Sequence, residues 1–365
     1  MTLLSDLPLR DDLRGQVPYG APQLHVPVAL NVNENTHPIP EPVAVDIVRA
    51  LAQAVQTVNR YPDREFTELR ERLAGYLGHG LTANNIWAGN GSNEVLQQVL
   101  QAFGGPGRSL LGFVPTYSMY SILASGTGTE WVAGDRDADY RLSPDTAVAW
   151  VTRTNPDLVF LCSPNNPTGT PLSLDTIAAV YEASTGIVVV DEAYAEFGPV
   201  GTPSALSLLP GRERLLVSRT MSKAFAFAGA RVGYLAADPA VTDALRLVRL
   251  PYHLSALTQA AANAALAHTD EMLAMVDDIR GQRDRLVQEL TRLGYAPHES
   301  GSNFVLFGGV ADPHATFEAL LAEGILIRDI GIPGHLRVTA GTRAETTAFV
   351  EALERLGRAT GAEAE

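Results

Sequence analysis

The sequence predicts an α/β chain: a mostly parallel sheet covered by helices on both faces, followed by a smaller α+β unit. Three observations carry this. Between residues 110 and 249, short apolar runs alternate with helix-like stretches, as in sheets whose strands are joined by crossover helices. Beyond Leu250-Pro251-Tyr252 the pattern changes to one long amphipathic stretch and then separated strand-like runs. The chain has 365 residues, more than one hydrophobic core usually organises.

Residues 1–28 carry Pro8, Pro18, Pro22 and Pro27 among charges without an apolar period, so they read as an extended arm. Leu30-Asn31-Val32-Asn33-Glu34-Asn35 is polar for a core strand and reads as an Asn-rich turn. Helical periodicity runs from Asp46 to Val58 and from Arg64 to Leu77, with Tyr61-Pro62-Asp63 as the break. Ile86 to Glu94 is a strand and a glycine-containing turn that opens a helix at Val95–Leu100. Strands are expected at Leu110–Val114, Trp131–Ala133, Leu158–Cys162, Ile187–Val190, Leu215–Ser218 and Val232–Ala236, and helices at Leu174–Ala183 and Val241–Arg249. Leu266–Leu293 reads as one helix passing Gly281. Strand-like Asn303–Phe307, Ile325–Ile330 and Leu336–Thr339 follow, then a helix near Thr346–Leu356.

Composition narrows the function. Apolar residues make up 46% and charged residues 19%, enough for a substantial core. With 27 basic and 41 acidic residues the net charge is −14, which argues against nucleic acid or an anionic membrane as partner. Cys162 is the single cysteine, so no intrachain disulfide forms and a reducing compartment fits. No run approaches 18 apolar residues and no basic segment leads into an apolar one, so a soluble cytoplasmic protein is expected. Eight histidines include no helical i,i+3 or i,i+4 pair, and no metal site is expected.

Ligands of open parallel sheets bind beyond the carboxyl ends of the strands. Thr116-Tyr117, Ser163 to Gly169, Asp191-Glu192-Ala193-Tyr194 and Ser222-Lys223 all fall there. A lysine after a strand and among small residues can be desolvated into a Schiff-base nucleophile, which suggests an aldehyde cofactor bearing a pyridine ring and a phosphate. Each requirement of such a cofactor has a candidate. Asp191 at a buried strand end can hold the ring nitrogen protonated. Tyr194 and Asn166 can donate to the ring hydroxylate, and Tyr117 offers a face for stacking. The amides of Gly91, Ser92 and Asn93, with Thr220, Ser222 and Arg231, can receive the phosphate. Taken singly, Asp191 reads more readily as a helix N-cap, Arg231 as a surface cation and Tyr117 as core filling, and Ser92 reads equally as a plain cap; it is their occurrence together, in one order at one sheet edge, that points to the cofactor. A nicotinamide-dependent dehydrogenase would want the third glycine of G-x-G-x-x-G, which is missing, and has no need of Lys223. A pyridoxal-binding regulator would want a DNA-reading domain, and no basic helix-turn-helix segment precedes residue 30.

These residues carry a resemblance. Asn31 to Asn35, Arg60-Tyr61-Pro62-Asp63, Gly91-Ser92-Asn93-Glu94, Pro115-Thr116-Tyr117, Ser163 to Gly169, Asp191 to Tyr194, Arg219 to Arg231, Ser302-Asn303-Phe304, Ile327-Arg328-Asp329 and Leu336 to Thr339 match in order. The chain resembles the pyridoxal-phosphate-dependent aminotransferases of fold type I, class II, and within them the histidinol-phosphate branch. The resemblance implies a large domain at 46–252 with a mostly parallel seven-stranded sheet, a small domain at 253–365, and a 1–45 arm packing on the small domain and a dimer partner. It implies pyridoxal 5'-phosphate as cofactor, with Lys223 forming the internal aldimine and moving the proton, Asp191 on the ring nitrogen, and Asn166 and Tyr194 on the ring hydroxyl. Tyr61 is expected to reach the phosphate in the neighbouring subunit of a homodimer. Tyr19, Asn33, Tyr61, Asn166, Arg328 and Arg337 are the expected substrate residues, the two arginines holding a substrate phosphate. The implied substrates are histidinol phosphate and glutamate or 2-oxoglutarate; aromatic amino acid aminotransferase and threonine-phosphate decarboxylase are the alternatives. Asn93 stands where aspartate is common, Thr36-His37 intervene before the proline that usually follows Asn35, and Ala226 and Phe227 replace the usual glycine and leucine.

Overall fold

A computed structural model describes Leu3, residues 6–17, Gly20 and residues 22–362. In chain order the first elements are β1 (Val28–Ala29), α1 (Glu41–Val55), α2 (Thr67–Leu77), β2 (Ile86–Asn90), α3 (Ser92–Phe103), β3 (Ser109–Val114), α4 (Met119–Thr127), β4 (Glu130–Asp135), α5 (Pro144–Thr154), β5 (Leu158–Cys162), α6 (Leu174–Ala183), β6 (Ile187–Asp191), β7 (Leu215–Thr220), β8 (Val232–Ala236) and α7 (Pro239–Val248). There follow α8 (Ala256–Leu266), α9 (Thr269–Arg292), β9 (Ala296–Pro297), β10 (Phe304–Gly308), α10 (Pro313–Ala322), β11 (Ile325–Leu326), β12 (Leu336–Thr339) and α11 (Arg343–Ala362).

Seven strands form one sheet in the order β2-β8-β7-β6-β5-β3-β4. All neighbours run parallel except those of β8, which is antiparallel to both β2 and β7. The central strands are buried along their whole length, as Leu158–Cys162 and Leu215–Thr220 show, because helices cover both faces. A second sheet has the order β12-β10-β9, and β1 pairs in parallel with β11. No helix is long and apolar enough to cross a membrane, among the described residues.

Several boundaries differ from the sequence reading for local reasons. The first helix starts at Glu41 rather than Asp46, because Pro42 lies in its first turn, where the missing N–H costs nothing. The second starts at Thr67, not Arg64: Asp63 accepts the Thr67 and Glu65 amides at 2.7 and 2.9 Å and holds the preceding residues in a turn. The expected helix 266–293 begins only at Thr269, since α8 ends at Leu266 and His268, at φ −119° and ψ 41°, leaves the helical conformation between the two helices. Of the expected strand 325–330, only Ile325–Leu326 and an isolated Arg328–Arg337 bridge pair. The last helix starts three residues early, where Thr342 and Glu345 cap each other reciprocally.

Candidate active site

The carboxyl ends of β5, β6 and β7 converge with the 31–34 segment and the turn before α3 around a cavity of about 530 Å3. Lys223, Asp191, Tyr194, Asn166, Tyr117, Ser92, Asn93, Thr220, Ser222 and Arg231 line it, as do Asn33, Arg328 and Arg337. The sequence scattered them over some 300 positions; the parallel sheet gathers them at one edge.

Asp191 ends β6 and is 2% exposed. Tyr120 donates its hydroxyl to Oδ2 at 2.8 Å, whereas buried Oδ1 has no hydrogen-bond partner among the described residues. Burial raises the carboxyl to about 6. A buried carboxylate oxygen without a donor is costly unless a ligand supplies one, and a protonated ring nitrogen is such a donor. One strand on, Lys223 follows the buried end of β7, and its Nζ donates to the Val32 carbonyl at 3.0 Å. Desolvation, with Arg337 and Arg231 nearby, lowers the amine to about 8. The frame under both residues is rigid: Arg219 of β7 bonds Glu192 at 2.8 Å and Glu196 at 3.1 Å inside the core, so the ends of β6 and β7 are tied together.

Tyr194 receives two amides, Asn33 Nδ2 at 3.0 Å and Asn166 Nδ2 at 3.3 Å. Its phenol is pushed above the ordinary value by burial, so it stays protonated. Arg337 of β12 donates to Asn166 Oδ1 at 2.6 Å and to the Asn31 carbonyl at 2.7 Å, with its guanidinium over the Phe304 ring. Asn33 is locked in turn by Thr339, whose hydroxyl donates to its Oδ1 at 3.1 Å. The Asn-rich turn is thus a buried polar network, which the polarity of the segment alone did not reveal.

The phosphate candidates need one correction. Gly91 has φ 85° and ψ 161°, a conformation open essentially to glycine, and its own amide is spent on Gly89 O at 2.8 Å. Gly91 therefore shapes the turn, and the amides of Ser92 and Asn93 at the start of α3 are the available donors. A Cβ at Gly91 would collide with the Arg231 guanidinium. From below, Gly233 of β8 lies so close that a Cβ there would strike the Ser92 amide and the Gly91 carbonyl carbon. Thr220 Oγ1 accepts the Ser222 amide at 3.1 Å, setting the two hydroxyls beside each other. Tyr117 is held by its hydroxyl on Asn93 Oδ1 at 3.2 Å.

Of the described residues expected to hold cofactor or substrate, Gly91 and Tyr61 do not line this cavity, Tyr61 having been expected at the neighbouring subunit's site. Tyr61 is 80% exposed and stacks on Tyr252 with centroids 4.4 Å apart. Tyr19 lies outside the described residues. Tyr120 and Glu34 were missed; Glu34 lines the cavity, while Tyr120 sits behind it on α4, an element with no polar and apolar alternation to announce it. Cys162 is buried, its thiol raised to about 12 by desolvation, which makes it inert packing. An unpartnered carboxylate oxygen, a desolvated amine and a glycine-shaped anion turn around one cavity fit a phosphorylated pyridine aldehyde.

Comparison with known proteins agrees. The model of the aminotransferase class I and II family matches residues 26–353. The chain is 67% identical over 356 residues to histidinol-phosphate aminotransferase of Paenarthrobacter aurescens (strain TC1), covering 97% of this chain and 96% of that relative. It is 59% identical to the protein of that description from Thermobifida fusca (strain YX), covering 96% and 95%. A crystal structure of histidinol-phosphate aminotransferase from Sinorhizobium meliloti in complex with pyridoxal-5'-phosphate superposes with a TM-score of 0.83 at 28% identity, covering 92% of each chain.

Proposed function

The chain belongs to the class I and II aminotransferase family, and from that premise we propose that it is a pyridoxal-phosphate-dependent transaminase of histidine biosynthesis. It interconverts L-histidinol phosphate and 2-oxoglutarate with imidazole-acetol phosphate and L-glutamate. The observation that carries this is the convergence of Lys223, the unpartnered Asp191 Oδ1 and the Tyr194 network on one cavity; the activity of the Paenarthrobacter and Thermobifida relatives supports the substrate.

When bound, pyridoxal phosphate supplies an aldehyde that takes the amino group and a ring that draws electrons from the substrate's reacting carbon. Asp191 would hold the ring nitrogen, Tyr194 and Asn166 the ring hydroxyl, and Tyr117 the ring face. Ser92, Asn93, Thr220, Ser222 and Arg231 would hold the phosphate. Lys223 Nζ is the amine for the aldehyde, and with an ionisation near 8 it can take and return a proton at the reacting carbon close to neutral pH. Arg328 and Arg337 would bind the substrate phosphate, two guanidiniums suiting a dianion. Glutamate and the phosphorylated ketone use the site in turn, a ping-pong order.

We read residues 1–45 as an arm, 46–252 as the cofactor-binding domain and 253–365 as the small domain, in a cytoplasmic homodimer. The exposed apolar side chains Val48, Tyr61, Leu247 and Leu250 support a partner surface, and Tyr61 would reach the partner's site from there. Light scattering would show the dimer. Turnover of histidinol phosphate, phenylalanine and threonine phosphate with 2-oxoglutarate tests the substrate; preference for phenylalanine, or loss of carbon dioxide from threonine phosphate, would replace it with an aromatic transaminase or a decarboxylase. Lys223→Ala should abolish both turnover and the cofactor's visible band.

A further inference from the structure

We propose that Tyr120 is a positioning residue: its hydroxyl pins one carboxylate oxygen of Asp191 so that the other is the one offered to the cofactor ring. This rests on the reading of the cavity given above. Rotation of a carboxylate about its last bond meets only broad, shallow preferences, so the two oxygens of an aspartate at a strand end are interchangeable unless something distinguishes them. Here Oδ2 takes the Tyr120 hydroxyl at 2.8 Å, while Oδ1 has no hydrogen-bond partner among the described residues; the Ala193 amide and the Ser218 hydroxyl lie beside the carboxyl and favour its charged form without closing that oxygen.

Tyr120 is itself held. It is fully buried, edge-on to Phe160 of β5 at 5.3 Å and 84°. It also stands edge-on to Tyr117, the residue that faces the ring, at 5.5 Å and 88°. One phenol at the start of α4 thereby touches both Asp191, which would hold the ring nitrogen, and Tyr117, which would lie against the ring face. The other ionisable groups nearby do not share the task. Cys162 of β5 lies opposite Asp191 in the ladder; its thiol, also beside the Tyr120 hydroxyl, is offered to Pro164 O at 3.5 Å. Glu192 is spent on Arg219, Ser204 and the Ala205 amide. Arg136, just after β4, is held elsewhere, its Nε donating to the Phe113 carbonyl at 3.0 Å.

The test is Tyr120→Phe, which keeps the ring and deletes the donor. A hydrogen bond to a charged group is worth enough to change affinity roughly 10- to 100-fold. The dissociation constant of pyridoxal phosphate should rise by about that factor, and the pH titration of the bound cofactor's visible band should shift, with the KM for glutamate unchanged. In an Asp191→Asn background the same substitution should cost far less, because its partner is no longer a carboxylate. A Phe variant with wild-type affinity and titration, or an equal loss in the Asp191→Asn background, would show ring packing alone and overturn the role of Tyr120. A wild-type protein that takes up no cofactor would instead overturn the reading of the cavity, and this inference with it.

Discussion

Asp191→Asn should stabilise the cofactor-free protein while disabling the loaded one. The carboxyl is buried, and burial lifts its ionisation from 3.8 to about 6. A group raised in this way favours the folded state fully below its unfolded ionisation and loses that contribution as pH rises through about 6. Above pH 7 the folded protein therefore carries a penalty of roughly 3 kcal/mol for one buried charge. An amide of the same shape carries no charge and avoids it, although it holds the Tyr120 hydroxyl less well, by ~1 kcal/mol. Urea denaturation of cofactor-stripped wild type and variant should give the variant an advantage of ~2 kcal/mol at pH 8, shrinking as pH falls through 6 and largely gone near 4. Activity should move the opposite way, since an amide cannot stay anionic opposite a protonated ring nitrogen. Equal stabilities at pH 8, or a difference that does not change with pH, would refute the reasoning.

Three more outcomes follow from the geometry. Reaction of Lys223 with a neutral electrophile in the cofactor-free protein should rise through pH about 8, against about 10.4 for an ordinary lysine, as followed by peptide mass spectrometry; a midpoint near the ordinary value would count against a desolvated amine. Gly91→Ala places a side chain where only glycine is at ease and against Arg231, so it should cost about 1–3 kcal/mol of stability and release cofactor on dialysis. Arg337→Gln removes the bonds to Asn166 and Asn31, and should raise the KM for histidinol phosphate roughly 10- to 100-fold while the visible band persists; an unchanged KM would remove Arg337 from substrate binding.

The strands of the seven-stranded sheet were legible because runs such as Val188-Val189-Val190 are apolar throughout and bounded by polar turns. The chemistry at their ends was legible because an aspartate and a tyrosine after β6, followed by a lysine after β7, narrow the possibilities sharply. Helices α4, α5, α8 and α10 were not read. Met119–Thr127 mixes apolar residues with serine and glycine, and Ala256–Leu266 is rich in alanine, so neither shows a polar face. The buried network of Asn31, Asn33 and Asn303 was invisible for a different reason. Whether an asparagine ends a turn or fills a core depends on partners hundreds of positions away, such as Thr339 on Asn33. Tyr120 was hidden likewise, one tyrosine among 11 with no motif to mark it.

The fit of Gly233 beneath the turn at 91–92 has a consequence for how the protein comes into being. That turn takes its shape from a strand made much later in synthesis, through the β2–β8 ladder in which Gly89 faces Gly233. An N-terminal fragment, however well its helices form, has no floor on which to mould an anion cradle. Affinity for the phosphate should therefore arrive in a single step with closure of the sheet, and added cofactor can reward the finished fold without guiding the nascent chain towards it.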